Sequence, residues 1–462
     1  MTRIRSRWSL SGAFALAAAG CDEAYQRHDP SPDAAALLAQ TTDASPDAGG
    51  ERLMGVDPEI REAFDGRGVE PGPITSLEIE GGNINWPRGM NRLHNVGDQL
   101  LLVGSGVEPG RSWAVPILRF TPHENGTTSN RALTWLTLGM NLYRPTEITS
   151  AQIGDQIIVC SRDHWNMDEP DDRRAFCGEL SMPGGTPSFS SQWSEGRVTS
   201  IQVRAANGRF VTITYNLQPQ ARWRVQPISR GALDAGAPLA SAEPRCPTLR
   251  ASGVVAGSDV WILLNNQDPA QCGGRGQTIS VSATELQSGR PVFAPYDIDV
   301  SFGSSLPDGG ALSVYDVPNA GADPQEGLTM FATRQLGPDE WGRRDSYLFR
   351  LYRDGTWGAR KVDEGGILQW TLPQPGGGWI VSLLRNDPAA GNRHTEILLL
   401  DANGRRLAAP VPYARANLLN DLGYGVEASG RGLWVVDVER APENPERAHF
   451  RLHRIALRPP AR

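Results

Sequence analysis

Lysine is nearly missing from this chain. One residue, Lys361, stands among 45 basic side chains in 462 residues, so a Schiff-base or lysine-nucleophile mechanism has a single candidate. A GC-rich genome that avoids lysine codons accounts for the bias. Long helical heptads are absent, as is any apolar run long enough to span a bilayer. Five cysteines include no CxxC and no Cys/His spacing suited to zinc. A nucleophile elbow, P-loop, HExxH and dinucleotide fingerprint are all lacking, and no cofactor or metal is expected. A net charge of −7 and the missing basic patch argue against nucleic acid as a partner.

What is present suits many short strands. The chain carries 51 Gly and 35 Pro with 39% apolar residues, a composition of sharp turns around a substantial core. The N-terminus reads as an export signal: three arginines in MTRIRSRW, a short apolar run SLSGAFALAAAG, then Cys21. Ala18-Ala19-Gly20-Cys21 resembles the lipobox of bacterial lipoproteins, with Ala18 where leucine is usual. The resemblance implies a signal peptide over 1–20 and Cys21 lipidated, palmitate included, as the mature N-terminus. An ordinary secretory signal with a nearby structural cysteine is the other reading. Lipidation also removes the odd cysteine, leaving two local couples, Cys160 with Cys177 and Cys246 with Cys272, read as disulfides of an oxidising compartment. Each would stabilise by about 3 kcal/mol in the chain-entropy account.

Residues 21–72 are rich in Asp, Ala, Pro and Gly, and SPDA occurs at 31–34 and again at 45–48. Such a composition cannot build a core and reads as a tether of roughly 40 Å root-mean-square span.

The remainder, 73–462, repeats itself. A Gly-led turn followed by a β-prone apolar strand recurs from Gly97, Gly154, Gly208, Gly257, Gly327, Gly378 and Gly432, at spacings of 57, 54, 49, 70, 51 and 54 residues. WILLNNQDPA from Trp261 and WIVSLLRNDPA from Trp379 repeat even their Asp-Pro step, and Trp434 opens a third copy. Proline follows each strand, at Pro109, Pro170, Pro219, Pro269, Pro338, Pro388 and Pro442, where it ends the ladder at a turn. A period near 50 residues with several strands per unit predicts an all-β, seven-bladed β-propeller. The last unit has room for only two strands after its glycine, so an N-terminal strand at Ile74 to Glu80 is expected to join the last blade and close the ring.

The repeats resemble the β-propeller superfamily broadly, without the signatures of WD40 or kelch repeats. YRDGTW, at 352–357, is similar to the Asp-box turn of sialidase-type propellers, lacking one residue between Asp354 and Gly355. LYRP at 142–145 is faintly similar to their arginine motif.

The expected binding face gathers the proline-bearing loops between second and third strands. One of them is SRDHWNMDEPDDRRAF, held between Cys160 and Cys177, where Asp163, His164, Trp165 and Asp168 form a candidate recognition loop. Calcium is a weaker reading of its carboxylates, because the EF-hand spacing is absent. Trp341 and Arg343 in a second loop, and Arg385 and Asp387 in a third, suit anionic or sugar ligands through forked hydrogen bonds and stacking. His449, Arg451 and His453 of HFRLH alternate onto one strand face, expected to be exposed.

The sequence points to no catalytic residue. The reading is an exported monomer, lipid-anchored in the envelope of a Gram-negative-type bacterium, at the outer membrane or cell surface ahead of the inner membrane. It would act as a non-enzymatic binding or scaffold module toward an envelope protein or glycan. A glycan-active propeller hydrolase and a subunit of an envelope assembly complex are the alternatives.

Overall fold

Alternating apolar and polar residues bounded by Gly and Pro leave most segments one way to bury their oily side, as strands in stacked sheets. The computed structural model describes residues 70–79 and, with breaks at connecting segments, 91–458. Every element among the described residues is a β-strand. The signal peptide, Cys21 and the tether up to residue 69 lie outside them.

β1 (Glu70–Ile79) opens the described chain. Group 1 is β2 (Asn91–Val96), β3 (Gln99–Val103), β4 (Ala114–Pro122) and β5 (Thr128–Thr137). Group 2 is β6 (Pro145–Ile153), β7 (Gln156–His164), β8 (Arg173–Ser181) and β9 (Ser188–Gly196). Group 3 is β10 (Val198–Ala206), β11 (Arg209–Asn216) and β12 (Arg222–Ser229), with β13 (Ala232–Ala235) and β14 (Ala240–Ala242) both on β12. Group 4 is β15 (Arg250–Ala256), β16 (Asp259–Asn266), β17 (Thr278–Glu285) and β18 (Tyr296–Asp299). In group 5, β19 (Leu312–Ser313) and β20 (Ala322–Asp323) both pair with β21 (Gly327–Gln335), followed by β22 (Arg344–Leu351) and β23 (Trp357–Glu364). Group 6 is β24 (Gly366–Pro373), β25 (Trp379–Asp387), β26 (Asn392–Leu400) and β27 (Val411–Arg415). Group 7 is β28 (Gly423–Val426), β29 (Gly432–Ala441) and β30 (Asn444–Arg458).

Within each group, neighbouring strands pair antiparallel. Groups 1 and 7 belong to one eight-stranded sheet because β2 and β28 pair in parallel at Asn91↔Gly423 and Arg92↔Tyr424. β1 lies on the far edge of that sheet, antiparallel to β30, with Glu70 opposite Arg458 and Ile79 opposite Phe450. The seven Gly-led segments of the sequence are β3, β7, β11, β16, β21, β25 and β29, each the second strand in its group's pairing order. The turns into β3 and β7 are two-residue Gly-Asp hairpins. Gly97 has φ 60° and Gly154 φ 57°, the left-handed region such turns require and glycine reaches without strain.

The core lies between groups. All but one of the hydrophobic clusters draw on two groups adjacent in sequence, as where Trp261 and Leu263 of group 4 meet Leu328 and Phe349 of group 5. One cluster joins the end of the chain to its beginning, packing Trp434 and Leu452 of group 7 on Leu100 and Phe120 of group 1, with the Phe120 and Trp434 rings 5.1 Å apart.

YRDGTW is a hydrogen-bonded turn from β22 to β23. Asp354 Oδ1 accepts from Thr356 N at 2.8 Å and from Thr356 Oγ1 at 2.6 Å, bonds that hold the Asp354 carboxyl below its ordinary range. The same construction recurs from β4 to β5, where Asn125 Oδ1 accepts from Thr127 N and Oγ1 at 3.0 and 2.7 Å. Missing one residue relative to an Asp-box does not stop the turn from closing, because a carboxylate or amide oxygen two residues before the donor is all it needs.

One expectation is corrected. The HFRLH face was expected to be exposed, but His453 is 2% exposed and Arg451 is half-buried, while the side chain of His449 lies outside the described residues. His453 shares its face of β30 with Ile455 and Leu457, which pack against Trp370, Ile380 and Leu399 of group 6, so the face is covered by a neighbouring group instead of water.

Candidate functional site

Two places between adjacent groups bring chemistry-bearing side chains together. The first is the seam between groups 5 and 6, at the end where the loops after β21 and β25 emerge. Asp363, the next-to-last residue of β23, has a fully buried side chain. Its Oδ2 accepts from Arg385 Nη1 at 2.6 Å and from the backbone of Gly366 at 3.1 Å, and its Oδ1 accepts from Arg385 Nη2 at 2.7 Å and Arg406 Nη2 at 2.5 Å. Arg385 Nε donates to Glu396 Oε1 at 2.5 Å and its Nη1 also reaches the carbonyl of Glu364. A Cβ at position 366 would sit 2.6 Å from Asp363 Oδ2 and 2.9 Å from Arg385 Nη1. Any larger residue there would push the forked pair aside.

Burial alone would pull the Arg385 guanidinium down. Its hydrogen bonds and charge contacts with Asp363 and Glu396 outweigh that and hold it above its ordinary value. Lys361 bonds Glu364, which raises its ammonium pKa further, and it stands 3.5 Å from Asp345 Oδ2. Positive and negative groups here satisfy one another, which makes the seam a clamp.

The second place is the seam between groups 2 and 3, at the opposite end of the strands. A cleft of about 890 Å³ opens between the Gly154–Asp155 turn and the turn at Gly208. Ile153, Phe210, Pro227 and Ile228 give it an apolar floor, with Asp155 and Glu179 on the group 2 wall and Arg209 on the group 3 wall. This seam is filled by Ala151, Ala175, Cys160, Cys177 and three small or β-branched residues of β10, with Phe210 as its one large ring.

Polar bonds knit the first strands of neighbouring groups to each other. Asn95 Nδ2 donates to Val426 O at 3.1 Å, and Gln152 Nε2 donates to Asn95 O at 2.5 Å. Gly253 N donates to Gln202 Oε1 at 2.8 Å while Arg204 Nε donates to Gly253 O at 3.1 Å. These bonds join like positions of successive first strands, so groups 7, 1 and 2, and likewise 3 and 4, present the same strand ends to the same side.

Of the eight candidate binding residues named from the sequence, Arg385 is the one whose side chain is described, and it belongs to the clamp. Asp163 and His164 end β7, paired with Arg174 and Arg173 of β8, and Asp387 ends β25 opposite Asn392; their side chains lie outside the described residues. So do Trp165, Asp168, Trp341 and Arg343, together with Cys246 and Cys272 and the seven prolines of the expected rim. Cys160 and Cys177 are directly opposite in β7 and β8 and form a disulfide, with Cα atoms 4.1 Å apart. Asp363, Glu396 and Arg406 were missed. Asp363 had a local signal, the acidic pair Asp363-Glu364 before the glycines Gly365 and Gly366, whereas Arg406 reaches it from 43 residues away.

No protein-family model matches the chain. No curated protein matches it. Several solved structures are similar in outline. The β-propeller domain of the Trilobed protease from Pyrococcus furiosus is 9% identical with a TM-score of 0.44, the match covering 76% of this chain and 89% of that one. The Pseudomonas aeruginosa periplasmic gluconolactonase is 14% identical at a TM-score of 0.40, covering 78% and 98%. Polysaccharide lyase Uly1 is 10% identical at 0.46, covering 82% and 93%. The likeness is to propeller proteins as a class, and at these scores it says nothing about what this chain binds.

Proposed function

We propose that the chain is an exported, lipid-anchored, seven-bladed β-propeller acting as a non-enzymatic binding or scaffold module of a bacterial envelope. In this reading groups 1 to 7 are the blades, β1 is the outer strand of the last one, and the sharing of a core between groups 7 and 1 supports a closed ring.

One observation carries the presentation: Glu70 lies opposite Arg458, at the end of β30 remote from the β29–β30 connection. A tether running from Cys21 to residue 69 therefore leaves from the face opposite the proline-bearing loops. Anchoring through that tether turns those loops away from the membrane, toward a protein or glycan partner. Neither Asp354 nor Glu427 suits the role of general acid in a glycan hydrolase. Asp354 is held down by its bonds to Thr356. Glu427, although burial opposes it, is held down by hydrogen bonds from Arg454, Trp434 and Ser429. A general acid needs the opposite shift.

Two measurements test the reading. Full-length chain labelled metabolically with palmitate should fractionate with membranes, and Cys21→Ser should lose both label and membrane association; an unlabelled wild type sinks the anchor. The purified chain, applied to a glycan array and to envelope extract, should bind saturably and release no product. Turnover of a bound glycan would overturn the non-enzymatic part.

A further inference from the structure

The cleft between groups 2 and 3 carries charge that its own walls do not neutralise. Asp155 and Glu179 stand on the group 2 wall and Arg209 on the group 3 wall. Among the described residues, no hydrogen bond or ion pair takes up any of the three, whereas Asp363 and Glu396 at the other seam are each held by an arginine. Two carboxylates against one guanidinium leave the cleft acidic, so it selects a cation.

Strand register separates the two acids. Glu179 lies opposite Ile158, three residues beyond Asp155 and about 10 Å along the strand. Asp155, in the exposed turn, marks the mouth of the cleft, and half-buried Glu179 its inner end. Between the walls run Ile153, Pro227 and Ile228, with Phe210 only 4% exposed. A floor that hides its one ring has no aromatic face for a sugar to stack on, and its aliphatic surface suits a methylene chain.

A buried acceptor stands behind the inner end. β8, which carries Glu179, and β12, which carries Ile228, are the third strands of their groups. Gln226 is two residues from Ile228 on the same face of β12, is 7% exposed, and its Oε1 has no hydrogen-bond partner among the described residues. A buried amide oxygen without a donor is costly, and an N–H brought to it removes that cost.

We infer that the cleft binds a linear aliphatic diamine or polyamine. One ammonium pairs with Asp155 at the mouth, the methylenes lie on Ile153, Pro227 and Ile228, and a second ammonium pairs with Glu179, with Gln226 Oε1 as a further acceptor. A ligand charged at both ends uses two separated carboxylates, which a single cation cannot. The site is independent of lipidation at Cys21 and of whatever the proline-bearing loops bind, since it opens at the opposite end of the strands.

The test is calorimetric titration of 1,5-diaminopentane into the full-length Cys21→Ser chain at low salt. Binding is expected to saturate at one site and to weaken as salt is added. Asp155→Asn and Glu179→Gln, which keep side-chain shape, should each weaken it by about tenfold. Arg209→Gln removes the opposing charge and should tighten it by about threefold. Nα-acetyl-lysinamide, with one ammonium on a similar stem, separates a free diamine from the lysine side chain of a protein, and should bind about tenfold more weakly. No saturation at millimolar diamine, equal affinity for the lysine amide, or unchanged affinity in both carboxylate variants would each overturn the proposal. A chain that fails palmitate labelling and passes this titration loses its anchor and keeps its site, so the two failures are distinguishable.

Discussion

The two seams between groups 5 and 6 and between groups 2 and 3 are built to the same plan and finished differently. The first packs Phe331, Trp379, Leu383, Leu398 and Leu400, with the Phe331 and Trp379 rings edge-to-face at 5.2 Å, and adds a buried carboxylate held by two arginines. The second packs alanines, cysteines and β-branched residues, and is tied within group 2 by a disulfide. The same strand plan accepts both fillings. Large side chains and a charge clamp fill one seam, and smaller ones line the other beside a cleft, where a covalent link ties the sheet that forms one wall.

The comparison breaks most visibly at Asp363. Asp363→Ala leaves Arg385 and Arg406 partly buried without their shared partner, and should cost about 3–5 kcal/mol in urea unfolding at neutral pH; a loss under 1 kcal/mol would mean that the clamp is ornamental. At the other seam, Cys160→Ala with Cys177→Ala should cost about 3 kcal/mol by the same measurement, less any stabilisation from residual structure in the reduced chain. Packing sharpens the contrast further. Leu383→Ala, at a fully buried position, should cost about 2–5 kcal/mol, whereas Ile228→Ala on the cleft floor should cost about 1 kcal/mol because water already reaches that side.

A buried ion pair in group 7, Glu427 with Arg454, offers a pH handle. Glu427 titrates below its ordinary 4.5 in the folded chain, so its contribution is fully present above about pH 4.5 and is lost as pH falls through the lower folded value. Glu427→Gln should flatten the acid limb of stability measured below pH 4.5 relative to wild type. At the small end, Arg431 and Glu124 pair at 2.7 Å with side chains 66% and 70% exposed, and Arg431→Ala should change stability by under about 0.5 kcal/mol.

How much of this was legible beforehand follows from the range of the forces involved. The Gly-led second strands could be read because a turn and its strand are encoded within ten residues, and each of the seven lies where the repeat put it. β1 at the edge of the last group could be read too, since a unit with only two strands after its glycine must find another. The Cys160–Cys177 couple was visible as proximity in sequence. The buried state of His453 was not, because alternation along β30 names two faces without saying that both are covered. Nor was the role of Arg385, whose loop context suggested a ligand while its partners, Asp363 and Glu396, come from a neighbouring group and an adjacent strand.

Composition and period by themselves determined that this chain is all-β, repeats about every 50 residues, and turns where glycine and proline stand, because those are local demands of the backbone. Only the tertiary structure decided which arginine would be consumed by a buried carboxylate and which seam would stay open. Both outcomes depend on the side chains that two different sheets bring to one interface, and no single stretch of sequence contains both halves of that contact.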